Sequence, residues 1–320
     1  MGIESAYLQW LESYVTQRPA RPSSWEVGIG DDAAVVATDT ATVCCMDTVV
    51  EGVHFEVKSA DDWQRVGRKA LAVNLSDMAS MAARSRQAML SLVVDRQEGL
   101  EQAKAITTGL LELAAEFGVE LVGGDTCTSN GPVVVTVTLL GTLLGELPVL
   151  RSTAQPGDVI VVSGQFGGSL TGKHWNFTPR VRLVEQLVSQ VKLTSMTDVS
   201  DGLARDLYAI LDASQCGAEI VADWIPISPE ALEREQDKRN QFPGVDFPSG
   251  LSAALNDGED FELLMTMSPA DWQLIEEQQE TGYPLECRLT RIGHVSSGNG
   301  VSIVLADGRK TVLPPGGYDH

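Results

Sequence analysis

What the 320-residue sequence lacks narrows its class before any motif is read. It holds five cysteines, Cys44, Cys45, Cys127, Cys216 and Cys287, an odd number without Cys-x-x-Cys spacing. Neither a disulfide framework nor a zinc site is indicated, and a reducing, cytoplasmic setting is the expectation. No run of about 18 apolar residues occurs, so no membrane-spanning helix is expected. The N-terminus has no basic start followed by an apolar core, so no secretory leader is expected either. Basic residues are scarce, with 23 Lys and Arg against 44 Asp and Glu and a net charge of −21. Nucleic acid and anionic membrane are polyanions, which argues against both as partners. No internal repeat or low-complexity tract stands out.

What is present is a set of acids gathered in small packets beside glycine or small hydroxyl residues. They are Gly28-Ile29-Gly30-Asp31-Asp32, Asp47-Thr48, Asn74-Leu75-Ser76-Asp77, Gly123-Gly124-Asp125-Thr126, Asp198-Val199-Ser200-Asp201-Gly202 and Gly258-Glu259-Asp260. Apolar runs flank several of them, which places the carboxylates at the ends of buried elements, where an unpaired charge is costly. Lysine and arginine are sparse nearby, so a hard divalent cation is the natural partner, Mg²⁺ above all, and Mg²⁺ implies phosphate. Bound cations also reconcile an acidic protein with an anionic substrate, because they invert the local field.

The length makes two domains the default. Helical spacing covers residues 4–17, followed by a Pro- and Arg-rich loop. Strand-like runs at 33–37 and 42–50 precede a long helix over 61–83. A strand at 89–94, a helix at 100–117, a short buried strand at 120–122 closed by Gly123-Gly124, and a strand at 133–144 complete a first unit. The proline-containing segment 145–157 leads into a fresh strand at 158–163, so the boundary is placed at 148/149, giving domains 1–148 and 149–320. The second unit again mixes strands and helices, with a polar surface excursion at 230–246. The fold class is α/β (α+β).

Several packets admit a plain structural reading. Ser200 or Asp201 reads equally as the N-cap of the helix that follows or as part of a metal and phosphate site at its start. Asp77 lies within a helical stretch whose apolar neighbours favour a paired or metal-bound carboxylate over a solvated turn. Gly28 to Asp32 alone reads as a tight turn, Gly124-Asp125 as a strand-ending turn, and His54 as a structural histidine. Gly167 to His174 nearly matches a phosphate-binding P-loop. However, His174 stands where a hydroxyl should bind Mg²⁺, and Pro179 disturbs the helix that should follow.

Read in order, the packets resemble the thiamine-monophosphate kinase family of the aminoimidazole ribonucleotide synthetase-like superfamily. The matching stretches are 27–34, 46–55 (Met-Asp-Thr-Val-Val-Glu-Gly-Val-His-Phe), 69–77 (Lys-Ala-Leu-Ala-Val-Asn-Leu-Ser-Asp), 123–126, Arg151-Ser152 with Pro156-Gly157-Asp158, 198–203, 258–263 and the closing Gly317-Tyr318-Asp319-His320. The resemblance implies transfer of the ATP γ-phosphoryl group to thiamine monophosphate, with ATP as co-substrate and several Mg²⁺ ions as cofactors. It also implies a two-domain protomer that pairs as a homodimer through its N-terminal mixed sheet. By position, Asp32, Asp47, Asp77, Asp125, Asp198 and Asp201 correspond to metal ligands, Asp198 and Asp201 to the catalytic pair, and Gly124, Asp125, Arg151 and Ser200 to nucleotide contacts. His54, Glu259 and Tyr318 correspond to residues that meet the thiamine substrate. A selenophosphate enzyme would need a reactive Cys before the first packet, and a hydrogenase-maturation relative would end in cysteine; this chain does neither.

The chain also departs from the family pattern. Cys45-Met46 replaces Ser-Thr, Met81-Ala82-Ala83 replaces Met-Gly-Ala, and Asp257-Gly258 replaces Gly-Gly before Glu259. The stretch 164–182 is shorter than usual and lacks Gly-Asp-Ser. These changes leave open an ATP-dependent enzyme with another acceptor, or a catalytically silent nucleotide- or metal-binding paralogue.

Overall fold

The computed structural model describes residues 31–36, 41–233, 247–282 and 284–318. The expected helix at 4–17, the glycines of the first packet, most of the 230–246 excursion and Asp319-His320 lie outside the described residues.

The first sheet is built from β1 (Ala34–Val36), β2 (Thr42–Val50), β3 (Ala83–Asp95), β4 (Glu120–Ser129) and β5 (Val134–Leu143), in the order β1-β2-β5-β3-β4. Every pair is antiparallel except β3 with β4, which the crossover helix α2 (Gly99–Phe117) makes parallel. Helix α1 (Asp62–Ser80) joins β2 to β3. The two helices approach closely where each has a glycine. A Cβ on Gly67 would stand 1.7 Å from the Ile106 carbonyl oxygen, and one on Gly109 would stand 1.8 Å from that of Gln64.

The second sheet has seven strands in the order β12-β11-β8-β10-β6-β9-β7. Its strands are β6 (Val159–Ser163), β7 (Leu193–Asp198), β8 (Gly217–Val221), β9 (Leu263–Met267), β10 (Leu289–Ser296), β11 (Gly300–Val304) and β12 (Lys310–Leu313). Helices α3 (Lys173–Asn176), α4 (Val181–Val188), α5 (Leu203–Ser214), α6 (Pro229–Glu233), α7 (Ser249–Asn256) and α8 (Pro269–Glu280) accompany it. Both faces of β6 are buried: Val159 and Val161 join one apolar core, Ile160 and Val162 a second. The first core is continuous with the layer under the five-stranded sheet. Helix α1 lies in that shared core, touching β2 and β5 on one side and β7 and α4 on the other. This position explains why it is buried nearly all round, and it sets Asp77 at the junction of the two sheets.

Three sequence expectations are corrected. The strand beginning at Glu120 does not stop at Gly123-Gly124: residues 123–129 continue in parallel register with Met89 to Asp95. That strand is largely exposed rather than buried, because it forms the edge of its sheet. A Cβ on Gly124 would come within 1.8 Å of the Leu90 carbonyl oxygen, so close strand packing alone accounts for a glycine there. Finally, neither Ser200 nor Asp201 caps α5: Gly202 holds the N-cap position without a side-chain bond, while the Asp201 N–H donates to Asp206 Oδ2 at 3.1 Å.

Candidate active site

Strand alternation places the first carboxylate. The period of two that buries Val43, Cys45 and Val49 under the helices puts Asp47 on that same face, while Met46 and Thr48 point to the other. Asn74 of α1 accepts from the Asp47 N–H at 3.1 Å and from the Cys45 thiol at 3.6 Å, which fixes β2 against the helix. On α1, Lys69, Val73 and Asp77 recur every four residues and form one stripe. Val73 and Asp77 line a cavity of about 320 Å³.

The second domain supplies the rest from two chain segments that zip together beyond β7 and β9. The Val199 N–H donates to the Glu262 carbonyl at 2.7 Å, Phe261 N–H to Val199 at 2.8 Å, and Glu259 N–H to Ser200 at 2.7 Å. Glu259 and Phe261 take left-handed backbone (φ 62° and 50°), a conformation non-glycine residues hold only where their surroundings enforce it. The cavity is lined by Asp47, His54, Asp77, Asp198, Ser200, Asp201, Glu259 and Tyr318, together with apolar Val53, Leu170 and Phe261. Eight of the sequence-predicted residues therefore converge.

Beside it, one oxygen each of Asp32, Asp77 and Asp198 lies within 4.8 Å of the others. Asp198 is pushed up from 3.8 to about 8, first by burial and next by the Asp32 charge, even though the Ser76 hydroxyl donates to it at 2.5 Å. Asp77 is raised well above the usual carboxylate range by burial, Asp47 and Asp198. Asp31, next in the chain, is raised to about 6 by burial and Asp32. Asp32 Oδ1 takes the Arg151 guanidinium and, at 3.1 Å, the Thr197 hydroxyl. Its Oδ2 is buried without any hydrogen-bond partner. Crowded, buried carboxylates, one of them with an orphaned oxygen, are the donor set a hard divalent cation completes.

Besides Asp32, three predicted residues lie outside the cavity lining, and two that line it have polar groups already engaged. Arg151 contacts the cluster through Asp32 but is not among the cavity-lining residues. Gly124 and Asp125 lie on exposed edge strand β4 and are not among the cavity-lining residues. Glu259 lines the cavity, yet both its oxygens accept from Lys69 Nζ at 2.8 Å. In His54, Nδ1 accepts the Val50 N–H at 3.1 Å, so the neutral ring carries its proton on Nε2.

Sequence reasoning missed three residues. Lys69 is fully buried and bonds Glu259 and the His54 carbonyl; the four-residue stripe shared with Asp77 was its signal. Asn74, quoted only as part of a packet, braces β2. Asp206, raised well above the usual range by burial and Asp201, holds the 201 backbone, and nothing in the pattern distinguished it from an ordinary first-turn acid. A larger cavity of about 840 Å³ between α8 and β10 contains none of the predicted residues.

Residues 30–143 match the family model "AIR synthase related protein, N-terminal domain" and residues 155–306 match its C-terminal counterpart. The curated thiamine-monophosphate kinase of Rhodopirellula baltica is 36% identical, with 99% of this chain and 97% of the relative aligned. That of Bacillus subtilis is 33% identical, covering 96% and 97%. Among solved structures, "AaThiL complexed with AMPPCP and TMP" superposes with TM-score 0.78 at 26% identity, covering 100% of this chain and 97% of that one. Thiamine-monophosphate kinase from Stenotrophomonas maltophilia gives 0.70 at 31%, covering 94% and 95%.

Proposed function

The chain belongs to the AIR synthase related family, and on that premise we infer that it is a thiamine-monophosphate kinase. It transfers the γ-phosphoryl group of ATP to thiamine monophosphate, giving thiamine diphosphate and ADP. The observation that carries this reading is the convergence of Asp32, Asp77 and Asp198 beside a cavity that also presents His54, Glu259 and Tyr318. One part suits charge, the other an organic group.

Asp32, Asp47, Asp77, Asp125, Asp198 and Asp201 are the proposed ligands of several Mg²⁺ ions; the Asp32, Asp77 and Asp198 cluster with the buried unpartnered oxygen of Asp32 supports the role for those three, and that of Asp125 rests on the family resemblance. Bound there, the ions supply neutralisation of the donor and acceptor phosphates. Transfer is direct and in line: an acceptor phosphate oxygen bonds the γ-phosphorus as the bridging oxygen leaves with ADP. Little proton transfer is needed, because a phosphate monoester has its second pKa at about 6. Asp198 and Asp201 are the proposed catalytic pair. Arg151 orients Asp32, and Gly124, Asp125 and Ser200 are assigned to the nucleotide. His54, Glu259 and Tyr318 are assigned to the thiamine part, with the Lys69 bond holding Glu259 in place.

The proposed boundary at 148/149 falls between the spans of the two family models. A homodimer through the first sheet is supported by its outer face, where Met46 (64% exposed) and Met89 (40% exposed) flank Thr138. No helix among the described residues is long and apolar enough to cross a membrane, and cytoplasmic residence is the reading proposed with it.

Of the departures that suggested another acceptor or a silent paralogue, Met46 and Asp257 do not lie in the cavity lining, whereas Leu170 of the shortened 164–182 stretch does. Met46 is on the opposite face of the sheet from Asp47, and Asp257 Oδ2 accepts the Gly168 N–H at 2.8 Å. ADP release measured with ATP and Mg²⁺ against thiamine monophosphate, thiamine and the aminoimidazole precursor tests the assignment. Preference for the precursor would replace it with a purine-type reaction.

A further inference from the structure

The P-loop look-alike at residues 167–174 binds carboxylates of its own chain. The Gly167 N–H donates to Asp260 Oδ2 at 2.9 Å and the Gly168 N–H to Asp257 Oδ2 at 2.8 Å. The Ser169 hydroxyl donates to the Glu259 carbonyl at 2.5 Å, and Lys173 Nζ to Glu262 Oε1 at 2.9 Å. Glu262 is itself gripped by Arg180 through two bonds of 2.7 Å. His174 Nδ1 and the Thr171 hydroxyl bond back within the loop. The acids after residue 256 thus occupy the backbone donors that a nucleotide phosphate would use in a P-loop, and they lock the loop against the cavity.

These bonds turn the loop's polar groups inward and leave Leu170 facing out. It is 56% exposed and lines the cavity. A single exposed leucine is ordinary on a protein surface. Here, however, Val53 (59% exposed) and Tyr318 (52% exposed) line the same cavity. Leu170 follows Ser169, which is bonded to Glu259, and Val53 precedes His54, whose carbonyl is bonded to Lys69. Both apolar side chains therefore belong to the Glu259 and His54 part of the cavity.

We propose that Leu170 is a specificity-determining residue, which the acid-clamped loop presents, and that it packs against the flat heterocyclic part of the acceptor. The inference rests on the kinase reading above. Discrimination comes from apolar area that a smaller phosphate ester cannot cover.

Steady-state kinetics of Leu170→Ala and Leu170→Met test it, with Leu111→Ala, an exposed leucine on α2, as control. Leu170→Ala is expected to raise KM for thiamine monophosphate about tenfold, the usual worth of a lost apolar pocket contact. The kcat and the KM for ATP should stay unchanged, Leu170→Met should restore most of the loss, and Leu111→Ala should match the parent protein. An unchanged acceptor KM in Leu170→Ala, with an active parent, overturns the role of Leu170 and leaves the kinase reading intact. A parent protein that does not phosphorylate thiamine monophosphate overturns both.

Discussion

Lys69 on α1 donates to both carboxylate oxygens of Glu259, 190 residues away, at 2.8 Å each, and its third bond goes to the His54 carbonyl at 2.7 Å. One buried ammonium therefore joins the helix under the first sheet to two cavity-lining segments. Burial pulls the Lys69 pKa down, and the Glu259 charge opposes that. Lys69→Met is expected to destabilise the fold by about 3 kcal/mol in urea unfolding, because it strands a largely enclosed carboxylate. Adding Glu259→Gln should recover part of the loss, whereas strictly additive losses would contradict the pairing.

Asp198→Asn and Asp201→Asn are each expected to lower turnover on the order of 100-fold or more while leaving the circular dichroism spectrum unchanged. Without added metal, Asp198→Asn should also melt no lower than the parent, since it relieves repulsion with Asp32 and Asp77. Near-normal rates at saturating Mg²⁺ in both variants would sink the assignment of the pair.

Asp198 titrates near 8 in the folded protein against an ordinary 3.8, and Asp31 near 6. An acid whose pKa rises on folding holds more protons in the folded than in the unfolded chain between those values. Stability in chelator should therefore fall as pH rises from about 4 to about 8. Mg²⁺ competes with these protons, so its gain in melting temperature should grow over the same range. A Mg²⁺ effect independent of pH across that window would show that the cluster is not where the ion binds.

How much of this was legible in the sequence depends on the kind of signal. The Asp packets could be read because glycine and small hydroxyl residues beside acids mark the ends of elements, and eight of the predicted residues meet at one cavity. Gly124 misled because a glycine inside a strand resembles a turn, and only the neighbouring Leu90 carbonyl reveals the close packing that requires it. The Ser200 and Asp201 caps failed because the Asp201 N–H is met from within the helix by Asp206. Lys69 and Glu259 could not be paired from sequence, since their contact depends on how the two sheets share one core.

Met46 and Met89 lie on the outer face of the first sheet, both in register with Thr138. Light scattering is expected to give a dimer mass at micromolar concentration, and Met46→Asp should shift it toward monomer. Parent protein that is monomeric at that concentration would contradict pairing through this sheet.

The carboxylate cluster is proposed to serve transfer between two phosphate-bearing substrates. The most direct measurement is chromatographic quantification of thiamine diphosphate formed from thiamine monophosphate with ATP and Mg²⁺, alongside an equal reaction offered unphosphorylated thiamine. Stoichiometric thiamine diphosphate with ADP is expected in the first reaction and little phosphorylated product in the second, because an acceptor without phosphate has nothing to hold against the cluster. Equal phosphorylation of thiamine, or no thiamine diphosphate at all, would contradict it.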